Sequence, residues 1–133
     1  IAVLGRIAGT EHFRNIERYP AETRPDMLML RIDANLFFGN VEAVNRRIED
    51  ELREHPQARN LVLVMTAVSS IDTSALFALA ELNQGLKQHG IGLHLAEVKG
   101  PVMDRLKDSD FLGALNGKIF LSAAMAWDGI ASV

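Results

Sequence analysis

Apolar and polar positions fall in short blocks along the chain, and the periods of those blocks assign most of its elements. Met27 to Ile32 (MLMLRI) is short, apolar and bounded by turn residues, which predicts a strand. Leu61 to Met65 (LVLVM) is apolar on both faces, the pattern of a central strand covered by helices on each side of a parallel sheet. Ile91, Leu93 and Leu95 alternate with Gly92, His94 and Ala96 and predict a third strand. Shorter β-prone runs lie at Ile1–Leu4 and Lys118–Leu121.

Between the strands the period changes to that of a helix. Val41, Val44, Ile48 and Leu52 lie on one side of a segment opened by Asn40 as N-cap and running to Glu54. Arg46, Arg47, Glu49, Asp50, Arg53 and Glu54 form its wet side. His55-Pro56 ends it, because the residue before a proline avoids the helical region. A second helix from Thr73 to Gln88 carries Leu76, Leu79, Leu82 and Leu86, with Gly90 just past its end. Pro101 opens a helix through Lys107, where its missing N–H costs nothing, and Ser122 caps a terminal helix through Ile130. Residues 10–26 are polar, contain Pro20 and Pro25, and read as a surface excursion. The alternation predicts one α/β domain over residues 1–133, with a small, mostly parallel sheet flanked by about four helices.

Composition narrows the classes. A 133-residue chain with 48% apolar content can bury roughly two-thirds of its unfolded surface and needs no disulfide. It has no cysteine, which fits a reducing compartment. A net charge of −3 implies no basic face for nucleic acid. No apolar run reaches the roughly 18 residues of a membrane span. The chain opens at Ile1 without a basic n-region or a cleavage site, so it reads as a piece of something longer and not as a signal peptide.

The chemistry concentrates in SSIDTSAL, between an apolar strand and a helix. Asp72 is placed to accept the free N–H groups of the first turn, a cap worth about 1 kcal/mol. Thr73 and Ser74 would point outward from that turn, and Ala75 is small enough for close packing. A helix start after the carboxyl end of a parallel strand also favours anions and ligands. A phosphate there would add about −1.5 to −2 charges beside Asp72. Leu36-Phe37-Phe38-Gly39-Asn40 sets two adjacent aromatics before a helix: both pack into the core after a bend, or one belongs to a patch facing a partner. Asn35 and Asn40 suit turns and caps, and Arg31 and Asp33, two apart on a strand, suit pairing with neighbouring elements.

Other candidates fall away. The four histidines are scattered, no cysteine completes a zinc site, and no metal is expected. GALNGK (Gly113 to Lys118) has three residues between its glycines where a phosphate loop has four, and Ile119 replaces the Ser/Thr that would hold magnesium; it reads as a turn. Asp104, Asp108 and Asp110 lie beside Arg105 and Lys107 and read as a solvated helix end.

The runs LGRIAGTEHFRNIERYP (Leu4 to Pro20) and RIDANLFFGN (Arg31 to Asn40) resemble the start of the STAS domain of SulP-type sulfate permeases. The resemblance implies the STAS fold, shared with anti-sigma factor antagonists, and a non-catalytic regulatory module with no cofactor. It implies a place on the cytoplasmic face of the membrane, as the C-terminal part of a transporter. Expected partners are the transporter's membrane part, a second copy or a cytosolic protein. In the antagonists an aspartate precedes a phosphorylated serine or threonine, a second hydroxyl and a glycine; by resemblance these are Asp72, Thr73 and Ser74, with Ala75 departing from the glycine. The alternatives are a free-standing phospho-switch using Thr73, or a sensor binding a nucleotide or an acyl-carrier protein at the helix starts near Asn40 and Asp72.

Overall fold

The computed structural model describes residues 1–131. Six strands form one mixed sheet: β1 (Ala2–Arg6), β2 (Phe13–Asn15), β3 (Met27–Arg31), β4 (Asn60–Val64), β5 (Gly92–Ala96) and β6 (Ile119–Phe120), in the order β2-β1-β3-β4-β5-β6. The helices are α1 (Val41–Glu54), α2 (Thr73–Gln88), α3 (Gly100–Lys107), the single turn α4 (Phe111–Ala114) and α5 (Ala123–Gly129). β3 to β6 run parallel, while β1 and β2 add an antiparallel edge.

Strand alternation sorts the core into two layers. Leu28, Leu30, Leu61, Leu63, Leu93 and Leu95 face one way and meet Ile48 of α1, Leu79 and Leu86 of α2, Val102 and Leu106 of α3, and Phe111 of α4. Met27, Met29, Val62, Val64 and Ala96 face the other way, under Ala123, Ala126 and Ile130 at α5. Each such Leu or Ile sealed from water contributes roughly 1.5–3 kcal/mol. The expectation for Leu61–Met65 holds, since β4 is buried on both faces.

Two short elements lie outside the sequence reading. β2 interrupts the polar excursion: Phe13 pairs with Arg6 in register and turns its buried ring toward Trp127, 5.6 Å between centroids. α4 is one turn inside the segment read as a solvated end and a turn. Gly117 lets that segment touch the sheet, because a Cβ there would lie 2.0 Å from the Leu93 carbonyl oxygen.

Polar side chains lock the α5 face. The Arg24 guanidinium donates to both Asp26 oxygens and to the carbonyls of Trp127 (2.6 Å) and Ile130 (3.0 Å). That hydrogen-bonded guanidinium holds the Asp26 carboxyl below its ordinary range. Trp127 also lies under Arg6 and Arg24, at 5.7 and 5.5 Å from its ring centroid. His94 is buried on this face, with Nε2 2.9 Å from Asn60 Oδ1, while Nδ1 accepts the Lys118 N–H at 3.0 Å. Burial, then the Lys118 charge, lowers its pKa.

Candidate functional site

β3 and β4 end side by side, so the loops that leave them run together. The Asn35 side-chain oxygen accepts the Ser69 and Ser70 N–H groups, at 2.7 and 3.2 Å. Leu36 N–H donates to Ser70 O, and Asp72 N–H donates to Leu36 O. The result is one double-stranded rim, bridged in parallel at Leu36 and Ile71.

Asp72 closes that rim. Its backbone is extended, at φ −90° and ψ 174°, which folds the carboxylate back over the first turn of α2. Oδ1 accepts from Ala75 N–H at 2.8 Å, the expected cap, and Oδ2 accepts from Phe38 N–H at 3.0 Å. One carboxylate therefore starts a helix and fixes a loop 34 residues away in sequence. Ala75 is fully buried beneath it, as its size predicted. Thr73 and Ser74 are exposed. The Thr73 hydroxyl accepts a hydrogen bond from Arg105 Nη2 of α3, at 3.0 Å.

Asn40 occupies the N-cap position of α1, but its side chain makes no cap bond. Its oxygen accepts from Phe37 N–H at 3.0 Å and its amide donates to Asn35 O at 2.7 Å. The capping role is corrected: Asn40 turns back to brace the preceding loop. Its backbone (φ −125°, ψ −14°) departs from the extended form in which a side chain reaches forward over a helix start.

The reading in which both aromatics enter the core is also corrected. Leu36 takes the core position at 1% exposure, and the turn at residues 37–40 sends both rings outward, Phe37 at 47% and Phe38 at 76%. The rings meet edge to face, 6.3 Å apart. Phe77, one turn beyond Thr73 on α2, is 66% exposed. Phe38, Ser74 and Phe77 border a groove of about 560 Å³ between α1 and α2. On its far side Phe77 borders a hollow of about 260 Å³ with Thr73, Leu76, Ala80 and Phe111. Phe77 escaped the sequence reading, and Arg105 entered it only as a neighbour of Asp104, Asp108 and Asp110, not as a partner of Thr73. The i, i+4 spacing from Thr73 to Phe77 was available to find the first, whereas Arg105 reaches Thr73 only through the packing of α3 beside α2.

Elsewhere, Arg31 pairs within its own strand end, Nε to Asp33 Oδ1 at 2.5 Å. Asp104, Asp108 and Asp110 are exposed, and Asp108 caps the end of α3. No cluster of three or more possible metal-ligating His, Asp or Glu residues occurs among the described residues, and no described helix is long and apolar enough to cross a membrane.

The model of the STAS domain matches residues 18–126. Sulfate transporter 1.3 of Arabidopsis thaliana is 38% identical over 96% of the chain, which spans 21% of that relative's length. Among solved structures, the murine solute carrier 26 family member A9 anion transporter, inward-facing, superposes with a TM-score of 0.84 at 18% identity, covering 96% of this chain and 22% of that one. The anti-sigma factor antagonist SpoIIAA of Bacillus, unphosphorylated, gives 0.59 at 14% identity, covering 84% of this chain and 96% of that one. At those identities the two structures speak to fold alone.

Proposed function

The chain belongs to the STAS domain family, and from that premise we propose that it is the regulatory domain of a SulP-type inorganic anion transporter, lying on the cytoplasmic face of the membrane. It does no chemistry and moves no anion itself. It binds another protein surface through the start of α2 and biases transport by favouring one conformation of the membrane part. The curated relatives, of which the chain spans about a fifth, support the transporter setting. A non-catalytic role is supported by Asp72, whose two oxygens are both committed to backbone N–H groups.

One observation carries the docking role. Phe38 and Phe77 stand bare beside a rim whose polar groups are held by Asn35, Asn40 and Asp72. Rigid backbone beneath exposed aromatics lowers the entropy cost of binding, and contiguous bare apolar surface is a mark of interaction sites. The partner is the transporter's own membrane part, with a second copy or a cytosolic protein as the other occupants this surface could serve. Anion uptake by the full-length protein tests it: Phe38→Glu and Phe77→Glu reduce uptake with the amount at the membrane unchanged. Uptake equal to the unsubstituted protein, or a reading frame without membrane spans, contradicts the proposal.

The Arg105–Thr73 bond favours a second reading, a phospho-switch at Thr73. A phosphate there would meet a guanidinium already in hydrogen-bond range and the positive end of α2. Mass spectrometry of the protein from its own cells decides it; Thr73 unmodified under every growth condition contradicts it. The sensor reading, with a nucleotide at the starts of α1 and α2, predicts amide shifts at Asp72 to Ala75 on titration, and none at millimolar nucleotide removes it.

A further inference from the structure

A further cavity, of about 530 Å³, lies between the later turns of α1 and α2, away from Asp72. It shares Asn45, Glu49 and Glu81 with the groove beside Phe77. Leu52, Leu82, Leu86 and Ile91 give it apolar walls. A recess of roughly 300–1,000 Å³, mostly apolar with a few convergent polar groups, suits a small ligand. Gly85 borders it from the interior of α2, where glycine is the poorest helix former after proline. Nothing lies within 4 Å of the place its Cβ would occupy, so no neighbour demands a glycine there. The helix gives up stability at Gly85, and the cavity gains depth.

We propose that this cavity binds a small organic cation, an apolar body carrying an ammonium group. The polar groups of its wall are short of donors. Glu49 of α1 and Glu81 of α2 border it from two sides, and neither has an ion pair among the described residues. Asn45 Oδ1 is shielded from water and has no donor, and the amide is held only by a 3.4 Å bond from Nδ2 to Ala78 O. His89 Nδ1–H donates to Gly85 O at 2.9 Å, which leaves Nε2 an acceptor in the neutral ring. Arg53, the arginine at this wall, donates to Asp50, and Arg46 borders the neighbouring groove instead. An ammonium brings three donors and no acceptor, so it answers the oxygens and the charge together. The leucines and Ile91 take its apolar body out of water. An anionic ligand of the same shape meets two like charges.

Amide shifts of the 133-residue chain, followed against phenylbutylammonium, phenylbutanol and phenylbutyrate, test the charge preference on one apolar body. We expect saturable shifts at residues 45, 49, 81 and 85 with the ammonium, binding about ten-fold weaker for the alcohol, and none for the carboxylate. Glu49→Gln/Glu81→Gln keeps the shape and should erase the ammonium's advantage, whereas Glu54→Gln, on α1 outside the cavity, should keep it. Gly85→Leu should abolish binding by filling the cavity, with Trp127 emission reporting the fold. If Gly85→Leu does not fold, the Gln pair alone decides. Equal binding of ammonium and alcohol, an advantage that survives the Gln pair, undiminished binding by folded Gly85→Leu, or no shift with the ammonium overturns the proposal. So does binding of a lysine-rich amphipathic peptide at these residues without binding of the ammonium, which assigns the cavity to a protein helix.

Discussion

Trp127 and Phe38 are both large aromatics beside charged or polar side chains, and the molecule treats them in opposite ways. Trp127 is partly buried: Arg6 and Arg24 lie over its ring, Phe13 packs against it, and Arg24 holds its carbonyl. Phe38 has its backbone fixed by Asp72 but its ring left in water. Around α5, polar groups spend their hydrogen bonds holding aromatic surface inside. At the start of α2 they hold the loop and leave the aromatic surface outside. The first arrangement gives stability; the second presents a rigid apolar face without giving much stability to the isolated domain.

That contrast predicts a ranked set of effects. Arg24→Ala should do most, because it leaves the shielded Asp26 carboxylate and two carbonyls without their donor. We expect a loss of about 3 kcal/mol in urea unfolding and a shift of Trp127 emission toward that of an exposed indole. Asp72→Ala removes a helix cap and the Phe38 N–H acceptor together and should cost about 2 kcal/mol, with faster amide exchange at Phe38.

Acid should act on the α5 face next. The folded state holds His94 neutral, its Nδ1 already accepting the Lys118 N–H, with Asn60 and the Phe120 ring beside it. Its pKa is lowered from 6.5, so the unfolded chain takes up the proton first. The His94 contribution is therefore complete above pH 6.5 and is lost as the pH falls through the lower folded value; unfolding midpoints followed between pH 8 and 5 should decline below 6.5, and His94→Gln should flatten that decline. Smallest of all, Phe38→Ser and Phe77→Ser should change stability by no more than about 0.5 kcal/mol, since neither ring is buried. A loss of 2 kcal/mol from either would place these rings with Trp127 and erase the contrast.

The covered region was partly legible in the sequence and the bare one less so. Short continuous apolar runs located β3 and β4, alternation located β5, and the 3.6 period located α1 and α2, because each buries apolar surface along its length. β2 was invisible: its three residues in a polar stretch form a strand only by pairing with β1. The Asp72 cap could be read locally, since its partner Ala75 is three residues away. Its second partner, Phe38, lies in a different loop, and no spacing rule reaches it. The outward turn of Phe37 and Phe38 depends in the same way on Leu36 winning the core position and on Asn40 bracing the loop instead of capping α1.

Hydrogen–deuterium exchange on the full-length protein, compared with the 133-residue chain alone, tests most directly whether the start of α2 is a surface built to be covered. We expect slower exchange at residues 36–40 and 72–78 in the full-length protein, with α5 unchanged. Equal exchange at those residues in both would contradict it.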